Sequence, residues 1–145
     1  MDFYISKEEV VKSLNATLGV VEKRQTLPIL SNVLLEVDES SLKITATDLE
    51  SEISTTSTIS NFKSGGKTTA PARKLNDLCR LLPDLTEIHL FLDGDNLKIE
   101  TESGKYNIST LPSEDFPVFE LEEAKSQINI SSKNLKSIIS NTSFA

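Results

Sequence analysis

The chain has 145 residues, a formal net charge of -7, one cysteine and no tryptophan. That length supports a full domain with a sizeable core. The lone Cys79 excludes an internal disulfide or a thiolate metal cluster, and the acidic balance disfavours a protein that coats nucleic acid indiscriminately.

In chain order, Phe3-Tyr4-Ile5 alternates as a short strand. Ser6 and Glu9 stand at capping-box spacing, and Val10, Leu14, Leu18 and Val21 recur at helical spacing, so a helix is expected over residues 7–21. Residues 22–25 form a charged connection. Pro28 argues against a helix over residues 26–30, which read as an apolar loop under a sheet. Val33, Leu35 and Val37, then Leu42, Ile44 and Ala46, alternate around a turn at 38–41 and give a β-hairpin. Residues 52–60, rich in Thr and Ser, read as a half-wet strand. Residues 61–67, with Gly65-Gly66, read as a flexible loop.

Pro71 opens a second helix that ends before Pro83, with Leu75, Leu78, Cys79 and Leu82 on one side. Cys79 therefore reads as a buried structural thiol. Three strands follow, around Ile88 and Leu90, Leu97 and Ile99, and residues 105–110, with turns at 93–96 and 102–104. Residues 111–117 are extended by their prolines, and residues 121–126 read as a charged linker. Then Ile128-Asn129-Ile130, Ser131, Leu135, Ile138 and Ile139 repeat the opening pattern after about 125 residues. The order strand, helix, three strands occurs twice before that point. It predicts an α+β domain of two similar halves, each with one helix packed on antiparallel sheet.

Arg73 and Arg80 are seven apart and share a helical stripe opposite the apolar side, and Lys12 points away from Leu14 and Leu18. The hairpins carry most of the acid. Outward helix faces that are basic on an acidic chain attract a polyanion on one side, and lysines and arginines on phosphates position DNA without reading bases. Ordinary helix solvation gives the same pattern. Catalysis is poorly served. His89 stands alone in a strand with no second His or Cys near it, Asp93 and Asp95 suit a turn, and the pairs Glu50/Glu52 and Glu100/Glu102 do not define acid-base chemistry. Neither an enzyme nor a cofactor is expected. Residues 105–108 form a strand edge able to accept another strand, and with Leu78 and Leu82 they make a candidate contact surface, core packing being the alternative for the two leucines. With no signal peptide or membrane-length apolar run, a cytoplasmic protein with no membrane partner is expected.

Four segments in order carry a family likeness: Thr26-Leu27-Pro28-Ile29-Leu30, Thr47-Asp48-Leu49-Glu50, Pro71-Ala72-Arg73-Lys74 and Leu111-Pro112-Ser113-Glu114-Asp115-Phe116-Pro117. Over essentially its whole length the chain resembles bacterial DNA polymerase III beta subunits, the sliding clamps. The resemblance implies a DNA clamp fold, with a first clamp domain over residues 1–123. Residues 124–145 would be a linker and the truncated start of a second domain, in a fragment of a longer subunit. It implies a head-to-tail homodimeric ring around double-stranded DNA, loaded by an ATP-dependent clamp loader. Such a ring is a processivity factor for the replicative polymerase and a tether for repair polymerases, and catalyses nothing.

By the same likeness, Arg24 and Arg73 match family residues that approach DNA, and helical geometry adds Lys12 and Arg80. Lys74, Leu78, Leu82, Lys105, Tyr106 and Ile108 match the region that meets the other subunit. Ser103 stands where the family often has a second basic residue. The pocket for clamp-binding peptides belongs to later domains and is expected to be absent here. A non-encircling protein-interaction domain of the same fold is the alternative.

Overall fold

The computed structural model describes residues 1–21, 27–119 and 126–143. Strand β1 (Asp2–Ser6) runs directly into helix α1 (Lys7–Thr17). The Ser6 hydroxyl accepts the Glu9 N–H at 3.3 Å, which satisfies one of the helix's orphan donors. The α-helix stops at Thr17 and tightens into a 3-10 turn over Leu18–Val20, a turn earlier than the apolar spacing suggests. At that point the Leu14 carbonyl accepts both the Leu18 N–H and, at 2.9 Å, the Thr17 hydroxyl, and Gly19, a poor helix former, follows.

Within the segment 26–30 that reads from sequence as a loop, a 3-10 turn begins and runs over Pro28–Ser31. Pro28 opens it, where a missing N–H costs nothing. Strands β2 (Asn32–Val37), β3 (Ser41–Thr47) and β4 (Glu52–Thr58) then form an antiparallel meander. Its two turns are built alike. Asp38 Oδ1 accepts the N–H groups of Ser40 and Ser41, and Asp48 Oδ1 those of Glu50 and Ser51.

The expected flexible loop at 61–67 is two strands, β5 (Asn61–Ser64) and β6 (Gly66–Pro71), meeting at Gly65. A Cβ on Gly65 would lie 2.8 Å from the Val37 carbonyl oxygen, and Gly66 holds φ +146°. Only glycines let the chain leave one sheet and enter the other within one residue. Helix α2 (Ala72–Leu81) follows, then β7 (Glu87–Asp93), β8 (Asn96–Thr101) and β9 (Gly104–Ser109).

The strands form two sheets, in the orders β5-β1-β7-β8-β9 and β4-β3-β2-β6. The two halves have therefore exchanged their first strands. β1 pairs with β7 of the second half, and β6 pairs with β2 of the first. The sequence pattern of two similar halves, each with one helix on antiparallel sheet, does not specify which half's strands pair with which. Exchange makes each depend on the other. Phe3, Ile5, Ile88, Leu90 and Ile99 from one sheet, Val33, Leu35 and Ile44 from the other, and Leu14, Leu75 and Cys79 from the helices form one buried cluster. Each such side chain contributes about 1.5–3 kcal/mol on leaving water. α1 lies on β3 and β4 and against α2, with Ser13 and Ser57 hydrogen-bonded at the seam.

Helix α3 (Ser132–Thr142) repeats the opening cap: the Ser131 hydroxyl accepts the Asn134 N–H. Residues 128–130, expected as a strand, are not one. A strand needs a hydrogen-bonding neighbour, and among the described residues none pairs with them. Leu135, Ile138 and Ile139 are accordingly exposed.

Candidate nucleic-acid and subunit interfaces

The buried sides of the two helices fix what their other sides present. In α1, Val10, Ser13, Leu14 and Thr17 are buried and Lys12 is exposed. In α2, Ala72, Leu75, Asn76 and Cys79 are buried, while Arg73, Lys74 and Arg80 are exposed against one acid, Asp77. The helices pack on each other, so neighbouring rods both carry outward cations. Arg73 also has a structural task, since its Nη2 donates to the Val21 carbonyl at 2.7 Å. That commits one of the guanidinium's five donors to holding the end of the first helical segment. Arg24 and the expected domain boundary at residue 123 lie outside the described residues.

The second candidate surface lies at the end of a sheet. Among the described residues β9 is an edge strand whose ladder partner is β8, and just past its end Leu111 bridges Thr69 of β6. Lys105 is exposed, and its Nζ donates to Glu100 Oε1 at 2.8 Å. That hydrogen bond holds the Glu100 carboxyl below its usual range. Tyr106 sits opposite Ile99 with 37% of its surface exposed. Lys74 is exposed and Leu78 half-buried. Leu82 and Ile108 are different: at 4% and 7% exposure they belong to the core. The family likeness and the strand edge put them on a contact surface, with core packing the alternative for Leu82; in this chain both side chains are packed into the core. Lys74, Leu78, Lys105 and Tyr106 remain as surface.

Sequence reasoning missed the tie between the start of α1 and the connection from α2 to β7. Lys7 Nζ donates to the Leu82 carbonyl at 2.6 Å and to Asp84 Oδ1 at 2.8 Å, and Glu8 Oε1 accepts the Leu85 N–H at 3.0 Å. The partners are more than seventy residues apart, so no local pattern signals them. His89 likewise has a structural setting. It stacks on Tyr4 with ring centroids 4.3 Å apart, and its Nε2 lies 2.7 Å from Asp2 Oδ1. Burial pushes the Cys79 thiol up to about 12, which keeps it protonated and unreactive at neutral pH. Among the described residues no three His, Cys, Asp or Glu side chains gather as a metal site. No helix among them is long and apolar enough to cross a membrane. The arrangement suits binding through charge and strand edges.

Comparison with known proteins places this architecture. Residues 1–122 match the family described as DNA polymerase III beta subunit, N-terminal domain. The chain belongs to that family. The beta sliding clamp of Vibrio cholerae is 37% identical over 145 residues, which is all of this chain and 40% of that protein. The beta sliding clamp of Pseudomonas aeruginosa is 39% identical over the same span, again 40% of its length. The crystal structure of the DNA polymerase III subunit beta from Pseudomonas aeruginosa superposes with a TM-score of 0.95 at 38% identity, covering 100% of this chain and 39% of that one. The chain thus spans about two fifths of the length of these relatives, and its two antiparallel sheets with packed helices are the clamp fold.

Proposed function

We propose that this chain is the first domain of a DNA sliding clamp, a processivity factor that encircles duplex DNA and holds a replicative polymerase on it without chemistry of its own. The observation that carries the reading is the pair of packed helices with Lys12, Arg73 and Arg80 outward on an otherwise acidic chain. Cations on long side chains meet phosphates at any register, so they supply attraction without sequence readout. Arg24, in the same reading, adds to them. Acidic sheet surfaces keep DNA from settling elsewhere on the molecule. The edge strand β9 with Lys105 and Tyr106, together with Lys74 and Leu78 of α2, offers one half of a head-to-tail contact in this reading, and a ring closes when a different surface of a second subunit takes it. In this reading the protein is a cytoplasmic homodimer, opened and placed on DNA by a clamp loader. Replicative and repair polymerases bind through parts of the subunit outside this chain.

The test uses duplex DNA and the salt dependence of its binding. Each phosphate contact removed lowers the slope of log K against log salt by about 0.9, whatever the DNA sequence. Lys12→Ala, Arg73→Ala and Arg80→Ala are each expected to do so. Arg73→Ala should also lower thermal stability, because the Val21 carbonyl loses its donor, whereas Arg80→Ala should not. Unchanged DNA affinity and slope in all three variants would remove the helix face from the proposal.

A further inference from the structure

An open groove of about 640 Å³ lies beside the connection from α2 to β7. Along β1, β7 and β8 the core side is taken by Phe3, Ile5, Ile88, Leu90 and Ile99. Tyr4, His89 and Glu100, which line the groove, therefore point from the opposite side of the sheet, away from the cluster that the helices cover. The remaining lining includes Leu85, Glu87 and Glu102.

Two features set this groove apart. The first is Leu85, which is 89% exposed and holds φ +60°, a conformation that residues with a Cβ avoid. It is held there. Its N–H goes to Glu8 Oε1, Lys7 Nζ binds the Leu82 carbonyl and Asp84, and the Lys7 N–H donates to the Thr86 carbonyl at 2.9 Å. A large apolar side chain is thus displayed on a braced connection. The second is charge. The lining holds four carboxylates and no lysine or arginine. Asp84 is paired with Lys7, and Glu100 with Lys105. Among the described residues Glu87 and Glu102 make no ion pair, Glu87 accepting only the Ser60 hydroxyl at 2.7 Å.

We propose that this groove docks a basic, leucine-bearing segment of a partner protein, with Leu85 as its apolar anchor and Glu87 and Glu102 as its charged rim. The signs exclude DNA as the occupant, since phosphates would face carboxylates. A cationic peptide with an aliphatic side chain meets both features at once: its charges answer the rim, and its leucine covers Leu85. The groove and the basic helix surface are separate, so this inference stands or falls apart from the DNA reading.

The test uses the 145-residue chain, labelled with 15N and titrated with the capped peptide KLRLK. Saturable amide shifts at Leu85, Glu87, His89 and Glu102 are expected. Leu85→Gly keeps the fold, because glycine suits that φ, and should weaken binding about tenfold. Glu87→Gln with Glu102→Gln should weaken it about threefold or more and flatten its salt dependence. The peptide KSRSK, with the same charge and no leucine, should bind about tenfold more weakly, and ELELE should not bind. Equal binding of KLRLK and KSRSK would reduce the site to general charge attraction and overturn the proposal. So would unchanged affinity in Leu85→Gly, or shifts confined to β9. Duplex DNA binding, measured on the same Leu85→Gly protein, should equal that of the parent chain.

Discussion

Exchange of the first strands makes a sharp prediction at Phe3. Its side chain is fully buried, and its strand lies between β5 and β7, with Phe3 opposite Phe62 on one side and Leu90 on the other. Phe3→Ala removes a ring from a packed site that neighbours on both sides hold in place, so the cavity cannot close fully. The cost expected for such a truncation is about 3–5 kcal/mol. Against a total stability of about 5–15 kcal/mol, that is a large fraction. For a domain of this size it lowers the melting temperature by about 10–20 °C. Circular dichroism with thermal and urea melts gives both quantities. Hydrogen exchange then separates exchanged halves from independent ones. Amides of Leu90 and Ile99 are in the mutated sheet, while those of Leu35 and Ile44 are in the other. Mutual dependence predicts that protection falls by the same free energy in both sheets. Parent-like protection at Leu35 and Ile44, or a loss below about 1 kcal/mol, would refute the reasoning.

Other substitutions probe single links. Ser6→Ala removes the α1 cap and should cost about 1 kcal/mol in a urea melt, while Ser131→Ala, on the exposed α3, should leave the main transition unmoved. Stability should be full above about pH 5 and decline as the pH falls through 4, followed by urea melts at each pH. The sign follows from carboxyls held below their usual range: Asp38 by the Ser40 and Ser41 N–H groups, Asp48 by those of Ser51 and Glu50, and Glu36 by a hydrogen bond from Lys67. Their unfolded forms take up protons first, so acid favours unfolding. Cys79, with its thiol pushed up to about 12 by burial, should react with a thiol reagent at neutral pH only at the rate of unfolding. Fast stoichiometric labelling of the folded chain would contradict its placement in the core.

What the sequence made legible is local. The α1 cap is written in Ser6 and Glu9, and the β2–β3 and β7–β8 hairpins in alternating apolar residues around Asp-containing turns. Strand β5 was hidden because it is short, polar apart from Phe62, and paired with β1 some sixty residues away. Its flanking glycines looked like loop punctuation, although their purpose is close approach to Val37 and a change of sheet. Strand exchange has no local signature either, since a first strand looks the same whichever half it joins. At the candidate site, helical geometry was enough to put Lys12, Arg73 and Arg80 outward. Helical periodicity could not decide whether Leu82 faces a partner or the core, because both settings call for an apolar residue there, and the strand edge that suggested a contact at Ile108 does not show which face its side chain takes. The Lys7 and Glu8 braces on the 82–86 connection, and the groove beside it, arise only when distant segments meet.

In the proposed reading, a clamp subunit built on this domain holds DNA by topology. The direct measurement loads a clamp-length subunit carrying this domain onto nicked circular DNA with an ATP-dependent clamp loader, cuts the circle once, and follows retention on both forms. A ring predicts retention on circles and rapid loss from the ends of the linear form. Equal retention on both would contradict encirclement and favour a clamp-fold domain that binds its partners without surrounding DNA.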